Sequence, residues 1–488
     1  MGLKTDTSFL RFLSMGALGV RQTMKQLTGM GFKPIELERY CASNKIWMTK
    51  VKRLRLPDVL CVRTGLRLEI RAKSDLKIRM SDTPNNPDRT WDAGLRDDDV
   101  AAFIAITEEE GGGQRPADEA VFFSIKSLRA SVAESTLGPP KSASEGAERD
   151  RTWPAIIPSS NGTVQSVTAE KLVVSMQPAT GGSRKQTYTL NGKKPYVRPG
   201  ESFKGEVTIL AGAPESMMGI SAFLKQAYDP LTALHEPNAV DRYAAAKSLP
   251  YREDLRAAAV PALESLLKTE TEERVALEAA GASATLGSAL GQDYIGKVLW
   301  GDGRKDLRME AVLILTELGS PFARTELVQV AGDSKLAGDE IRQAAVWGLG
   351  KSGLKAYDKI LPFIGDTDEN LALHAIAAFG SDTPEGIIGQ LVSELVAGDL
   401  RRASAASEIL RLIANEGVLK HLIEAAASEN DWVLATLGRL PAALVKPAVA
   451  GSALMKRIAP MLLMGEGANW LASEDRVMDI AFLTKQNL

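Results

Sequence analysis

A short motif opening on arginine recurs along the second half of this 488-residue chain, and no other feature limits its fold so tightly. It reads RYAA at Arg242, RVAL at Arg274, RMEA at Arg308, RQAA at Arg342 and RASA at Arg402. The steps are 32, 34, 34 and 60 residues, the last being a double step with ALHA at Ala372 between. Self-similarity at a period of this size means stacked supersecondary units, none of which can bury its apolar face alone. The surrounding text is Ala- and Leu-rich with helical periodicity. Several stations follow an acid (DLR, DEIR, DLRR), and Gly follows several of the first helices (TELG, WGLG, AAFG). Residues 216–488 are therefore expected to form an α-solenoid, whose long surface suits a protein partner.

The text before residue 216 is of two other kinds. Residues 1–138 mix helix and strand signals and run into GPPKSASEGAERDRT, which sets an expected linker at 139–152. Residues 153–215 carry short β-like runs (GTVQSV, KLVVSM, QTYTL, GEVTIL) between turn signals such as NGKK and RPGES, predicting a small all-β domain. With 44% hydrophobic and 25% charged residues, the composition excludes wholesale disorder and a membrane bundle. Cys41 and Cys61 are too few for a disulfide framework, and no run of 18 apolar residues occurs, so the expectation is a cytoplasmic protein without membrane contact. His235, His374 and His421 are too scattered for a zinc site or His-based catalysis, and His374 reads as a satisfied core residue.

Charge is distributed unevenly. The net charge is −2, yet between Lys33 and Arg79 there are 13 Lys or Arg against 5 acids, a footprint suited to nucleic-acid phosphates. Within this stretch lies DVLCVRTGLRLEIRAK, which reads as a hairpin with Thr64 and Gly65 in a two-residue turn. In that register residue 60 pairs with 69 and 58 with 71. Asp58 then shares a face with Arg67, Glu69, Arg71 and Lys73. Two carboxylates within reach of one hard cation suit Mg²⁺ or Mn²⁺, which take oxygen ligands and keep waters for chemistry.

These residues resemble a family. Pro57-Asp58, ten intervening residues and then Glu69-Ile70-Arg71 are similar to the PD-(D/E)xK motif of restriction-endonuclease-like nucleases. GVRQTMKQLTGMGF resembles that fold's opening helix, FKPIELERY its first strand, and DVAAFIAI and EAVFFSIKSLRASV its later core strands. The resemblance implies a metal-dependent endonuclease in which Asp58 and Glu69 bind the metal. Arg71 stands where the family has Lys. Because arginine stays charged and cannot act as a base, Lys73 would position the water and Arg71 would stabilise charge on the phosphate. The helical stretch over roughly 230–445 resembles HEAT-like repeats.

Further phosphate or base contacts are expected from Lys50, Lys52, Arg53 and Arg55 on an adjacent strand, and from Arg67 and, in an Asp-rich loop, Arg89, Trp91 and Arg96. The pairing suggests bacterial defence or DNA processing. The rival expectation, favoured by Arg71, is a non-catalytic scaffold whose nuclease-like domain is degenerate and whose repeats carry the function.

Overall fold

A computed structural model describes residues 7–38, 47, 49, 54–84, 86, 89–108, 114–138, 147–217, 219–336, 338–351 and 353–465. The chain divides into two compact units. One comprises Arg11–Ala42 and Lys52–Ser288; the other comprises Met1–Leu10, Ser43–Val51 and Ala289–Leu488.

The first unit opens, in chain order, with α1 (Thr7–Gly29), β1 (Pro34–Glu36), β2 (Val59–Cys61), β3 (Arg67–Lys73), β4 (Ile78–Asp82), β5 (Val100–Glu108), β6 (Gln114–Pro116), β7 (Val121–Ser124), α2 (Ile125–Ala130), β8 (Glu134–Gly138) and β9 (Glu148–Trp153). A mixed sheet runs β1-β2-β3-β5-β6, with β7 also on β5; β3 and β5 are parallel and the other neighbours antiparallel. β5 is central and buried over Val100–Ile106, which is why VAAFIAI is continuously apolar rather than alternating. Side chains on one sheet face (Cys61, Leu68, Ile70, Ala102, Ile104) share a core with Val20 and Leu27 of α1. On the other face Phe103 meets Phe123 edge-on at 5.8 Å, in a core that also holds Met80 and Trp153. Each buried Val, Leu, Ile, Phe or Met side chain among them contributes about 1.5–3 kcal/mol.

Met80 and Trp153 belong to a second sheet, β4-β9-β8. Residues 148–152, expected in the linker, are thus strand, paired to β4 with Asp82 opposite Arg149. The Arg-Asp-Arg spacing places both arginines on one face, where they enclose Asp82; the alternation that looked like solvated linker charge is that of a strand.

The β-rich stretch that follows holds β10 (Ala155–Ile156), β11 (Asn161–Val167), β12 (Lys171–Gln177), β13 (Arg184–Thr189), β14 (Lys194–Pro195), β15 (Ser202–Phe203) and β16 (Ala211–Gly212). They form two small sheets, β13-β12-β11-β15 and β10-β16-β14. β12 alternates exposed and buried residues, and Leu172, Val174 and Met176 share a core with Val164 and Phe203. The unit closes with α3 (Pro230–Ala233), α4 (Ala239–Ser248), α5 (Arg256–Thr269) and α6 (Glu273–Thr285).

The second unit holds α7 (Ala289–Trp300), α8 (Lys305–Leu318), α9 (Pro321–Gly332), α10 (Glu340–Leu349), α11 (Tyr357–Ile360), α12 (Glu369–Ala377), α13 (Glu385–Ala397), α14 (Leu400–Ile413), α15 (Glu416–Ala425), α16 (Asp431–Arg439), α17 (Ala442–Val449) and α18 (Ala453–Gly465). The repeated stations fall on alternate helices, from Arg242 on α4 to Arg402 on α14. Within this unit α8, α10, α12, α14 and α16 pack each against the next, and the helices between them cover the row. The acids before the stations are N-caps: Asp339, Asp368 and Asp399 each accept a backbone N–H from the first turn. Of the expected closing glycines, Gly319 is left-handed at φ 57° and Gly350 stays right-handed at φ −82°.

The station arginines are fasteners. Arg342 donates to Ala331 O at 2.7 Å and to Asp366 at 2.9 Å; Arg308 donates to Leu299 O at 2.9 Å; Arg402 grips Glu394 and donates to Pro362 O at 3.2 Å. Each ties its helix to a neighbouring loop or helix end, satisfying carbonyls that the helix geometry leaves open. No described helix is long and apolar enough to cross a membrane.

Candidate phosphate-binding cavity

The hairpin that carries the motif differs from its expected register. Val59 pairs with Leu68 and Leu60 with Arg67, two residues off the expected pairing, so the turn spans Val62 to Gly65. Gly65 at φ 71° donates to Cys61 O at 2.9 Å, and Leu66 N–H donates to Thr64 Oγ1 at 3.3 Å, closing a four-residue loop that a two-residue turn cannot supply. A shift of two preserves sidedness. Asp58, just before β2, therefore stands across from Glu69, not diagonal to it.

Beside this face of β3 lies a cavity of about 160 Å³ whose lining includes Arg55, Glu69, Arg71, Asp82, Arg89 and Trp91. The Glu69 side chain is 13% exposed and accepts from Arg71 Nη2 at 2.7 Å; Arg71, 37% exposed, also points Nε at Met80 Sδ, 3.2 Å away. Asp58 is half-buried, and its Oδ2 accepts the Ile70 N–H at 2.6 Å. Lys73 ends β3 on the same face, half-buried, in register with Ala105 of β5.

Asp82 forms part of the far wall, gripped by Arg149 at 2.7 Å and 2.8 Å and by Arg151 at 2.9 Å. Burial pushes its carboxyl up, but the two guanidinium groups outweigh this and hold it below the ordinary carboxylate range. Asp82 and Glu148 line the cavity and were missed as site residues because they fell in segments read as an Asp-rich loop and a linker.

The other expected contacts separate. Arg67 is a structural residue, 2% exposed, and it cannot meet a phosphate. Its guanidinium donates from Nε to Asp99 at 2.8 Å, makes a second short bond to the same carboxylate, and reaches Asp241 of α4 at 2.7 Å. Burial alone would lower its pKa; Asp99 and Asp241 reverse this and raise it. Arg96 is exposed but turned toward Asp98, Asp99 and Asp241. Trp91 is half-buried, its ring 5.2 Å from Trp153 in a T-shaped pair, so part of the indole is already committed to the core. The neighbouring acids fasten the loop, Asp92 and Asp97 to Arg129 and Asp99 to Arg67. Arg55 is exposed but lies in coil over 54–57, not in an adjacent strand; Lys50, Lys52 and Arg53 lie outside the described residues.

Among the described residues no group of three or more His, Cys, Asp or Glu forms a metal cage. The fit to a hard cation rests on Asp58 and Glu69. Asp58 accepts the Ile70 N–H and Glu69 the Arg71 guanidinium, and a carboxylate offers about four lone-pair sites in all.

No family model matches the sequence, and no curated protein is significantly similar to it. Two crystal structures of engineered proteins from the Northeast Structural Genomics Consortium are slightly similar. One is 15% identical over 53% of this chain and 87% of its own, with a TM-score of 0.22. The other is 18% identical over 48% of this chain and 96% of its own, with a TM-score of 0.16. Similarity this slight fixes neither fold nor activity.

Proposed function

We propose that the first unit is a metal-dependent nucleic-acid phosphodiesterase of the PD-(D/E)xK kind, working at the cavity beside β3, and that the helical repeats bind a protein partner or the substrate. The observation that carries this reading is the hairpin register, which, continued one residue past the Val59–Leu68 pair, puts Asp58 across from Glu69, itself on the wall of an arginine-lined cavity that neither Asp58 nor Lys73 lines. The strand order supports it, since β3 runs parallel to β5 in a sheet otherwise antiparallel.

Asp58 and Glu69 would hold Mg²⁺ or Mn²⁺, an ion that usually takes one or two carboxylates plus water and substrate phosphate. Bound there, it would polarise the phosphate and lower the pKa of a water. The chain's own residues do the rest. Arg71 exchanges Glu69 for a phosphate oxygen, as a guanidinium fork can do without changing charge. Arg55 and Arg89 hold flanking phosphates, and Lys73 hydrogen-bonds the incoming water. Arg71 cannot be the base, so the water's proton leaves to solvent or to substrate phosphate.

The ion pair between Arg71 and Glu69 also favours a second reading, a cavity that grips phosphates without cutting them. One experiment separates the two. Wild type, Asp58→Ala and Glu69→Ala are incubated with Mg²⁺ or Mn²⁺ and linear, circular, single-stranded and RNA substrates. The proposal expects cleavage by wild type and at least about a hundred-fold loss in either variant with binding retained. Binding without cleavage by wild type across the panel would leave the second reading.

A further inference from the structure

A second hollow of the first unit lies at the turn end of the β2–β3 hairpin, an open cleft of about 640 Å³ whose lining includes Lys33, Arg63, Tyr251, Arg252, Glu253 and Asp254. None of these six lines the cavity beside β3. Small-molecule sites span about 300–1,000 Å³ and are mostly apolar. This cleft has the size without the lining, since five of the six residues are charged and the sixth is a tyrosine.

The strand pairing sets its two outer cations side by side. Lys33 precedes β1 and Arg63 follows β2, and with Pro34 opposite Cys61 the Val62 N–H donates to Lys33 O at 3.0 Å. The backbone around them is held. Tyr228 N–H donates to Arg63 O at 3.0 Å, while Arg252 Nη1 donates to Tyr228 O at 2.8 Å and to Val62 O at 3.2 Å. Lys33 Nζ donates to Tyr251 O at 2.9 Å, which ties the turn after α4 to the start of β1. The side chains project from this fixed frame: Lys33 and Arg63 are exposed and Tyr251 is 39% exposed. A frame ordered beforehand lowers the cost of binding.

Charge within the cleft does not cancel. Arg252 grips Asp254 at 2.9 Å and 2.7 Å and, helped by the charge of Arg63, holds that carboxyl below the ordinary carboxylate range. Neither Lys33 nor Arg63 forms an ion pair with a described residue, so these two cations face one remaining acid, Glu253, and leave a net +1. Both belong to the basic stretch that runs from Lys33 to Arg79. Cations and an aromatic ring in one open groove are how single strands are held, with phosphates on the cations and bases stacked on the ring.

We propose that this cleft binds single-stranded nucleic acid, with Lys33 and Arg63 on a phosphate and the Tyr251 ring against an unstacked base. The proposal deepens the nucleic-acid reading above by giving the strand a second hold, and it does not need the cavity to cut.

A fluorescent single-stranded oligothymidylate of about ten nucleotides is titrated into the full-length protein with a chelator present, so that no metal-dependent cleavage occurs. Arg63→Glu should weaken binding about ten-fold, and Arg63→Ala should reduce the slope of log affinity against log salt by about 0.7, one single-strand phosphate contact. Tyr251→Ala should weaken it at least about five-fold, and Tyr251→Phe, which keeps the ring, should bind as wild type does. Glu253→Gln, which removes the opposing charge, should bind tighter. Arg89→Ala tests the cavity beside β3 in the same assay, and its loss should add to that of Arg63→Glu. Loss with Arg89→Ala alone, while Arg63→Glu and Tyr251→Ala melt and bind as wild type does, would overturn the cleft and leave the cavity standing. Loss with the cleft variants in a protein that cuts no substrate with Mg²⁺ would leave the cleft standing by itself. Failure of wild type to bind the strand would also overturn the proposal.

Discussion

The surroundings of β3 and the part of the second unit around α10 and α12, where the Trp47 ring meets Trp347 and His374, treat polar groups in opposite ways. Around β3 the described buried carboxylates have cationic partners: Asp99 holds Arg67, Asp82 holds Arg149 and Arg151, and the half-open Glu69 holds Arg71. On α10 and α12 and at Trp47, several buried neutral polar atoms are unmatched among the described residues: Trp47 Nε1, both His374 nitrogens, Asn370 Oδ1 and Gln343 Oε1. Charge is too costly to bury alone, so the first region pairs it and gains definition. Neutral groups cost less, and the second region leaves several of them unmatched.

Removing one member of the most buried pair tests this contrast hardest. Arg67→Met would leave Asp99 buried and Asp241 without one of its cations, and should cost the first unit about 3–5 kcal/mol. Calorimetry should show one transition moving down while that of the helical unit stays.

Acid sharpens the comparison. Asp82 has a depressed folded pKa, so its stabilising effect is complete above the unfolded value and is lost only as pH falls below about 4. His374 is pushed down to about 3, first by burial and then by Lys351. Its unfolded form gains a proton near pH 6.5, so the helical unit should lose about 1.4 kcal/mol per pH unit below that point, toward the folded value. Hydrogen exchange between pH 7 and 4.5 should show protection falling in α10 and α12 while β3 and β5 hold. His374→Met should flatten the helical response; equal acid sensitivity of the two regions would break the contrast.

The smallest effect belongs to the cavity rim. Arg89→Ala should weaken nucleic-acid binding slightly and reduce the slope of log affinity against log salt by about one phosphate contact.

The helical half was legible because its signal is local. Each station, cap and apolar stripe lies within one helix, and the period repeats it. The sidedness of β3 was also legible, since alternation survives a shift of two residues even where the turn length does not. Arg67 was not, because its partners lie 32 and 174 residues away and nothing in GLRLEIR tells a phosphate-facing cation from a buried one. The linker failed for the opposite reason: Arg149 and Arg151 look like solvent charge until Asp82 of β4 is placed opposite them. His374 was correctly read as buried, but its nitrogens are not satisfied as expected.

The docking of residue 49 onto Glu340 spans 291 positions of sequence, and this orders events on the ribosome. The segment around Trp47 is made long before α10 exists. At about 5–20 residues per second it waits roughly 15–60 seconds for its seat. During that interval the Trp47 indole has no seat, on a chain whose first unit already has everything needed to fold. A chain stopped before α10 would keep that state permanently, so early termination would yield a protein with the cavity of the full-length chain and an unhoused tryptophan.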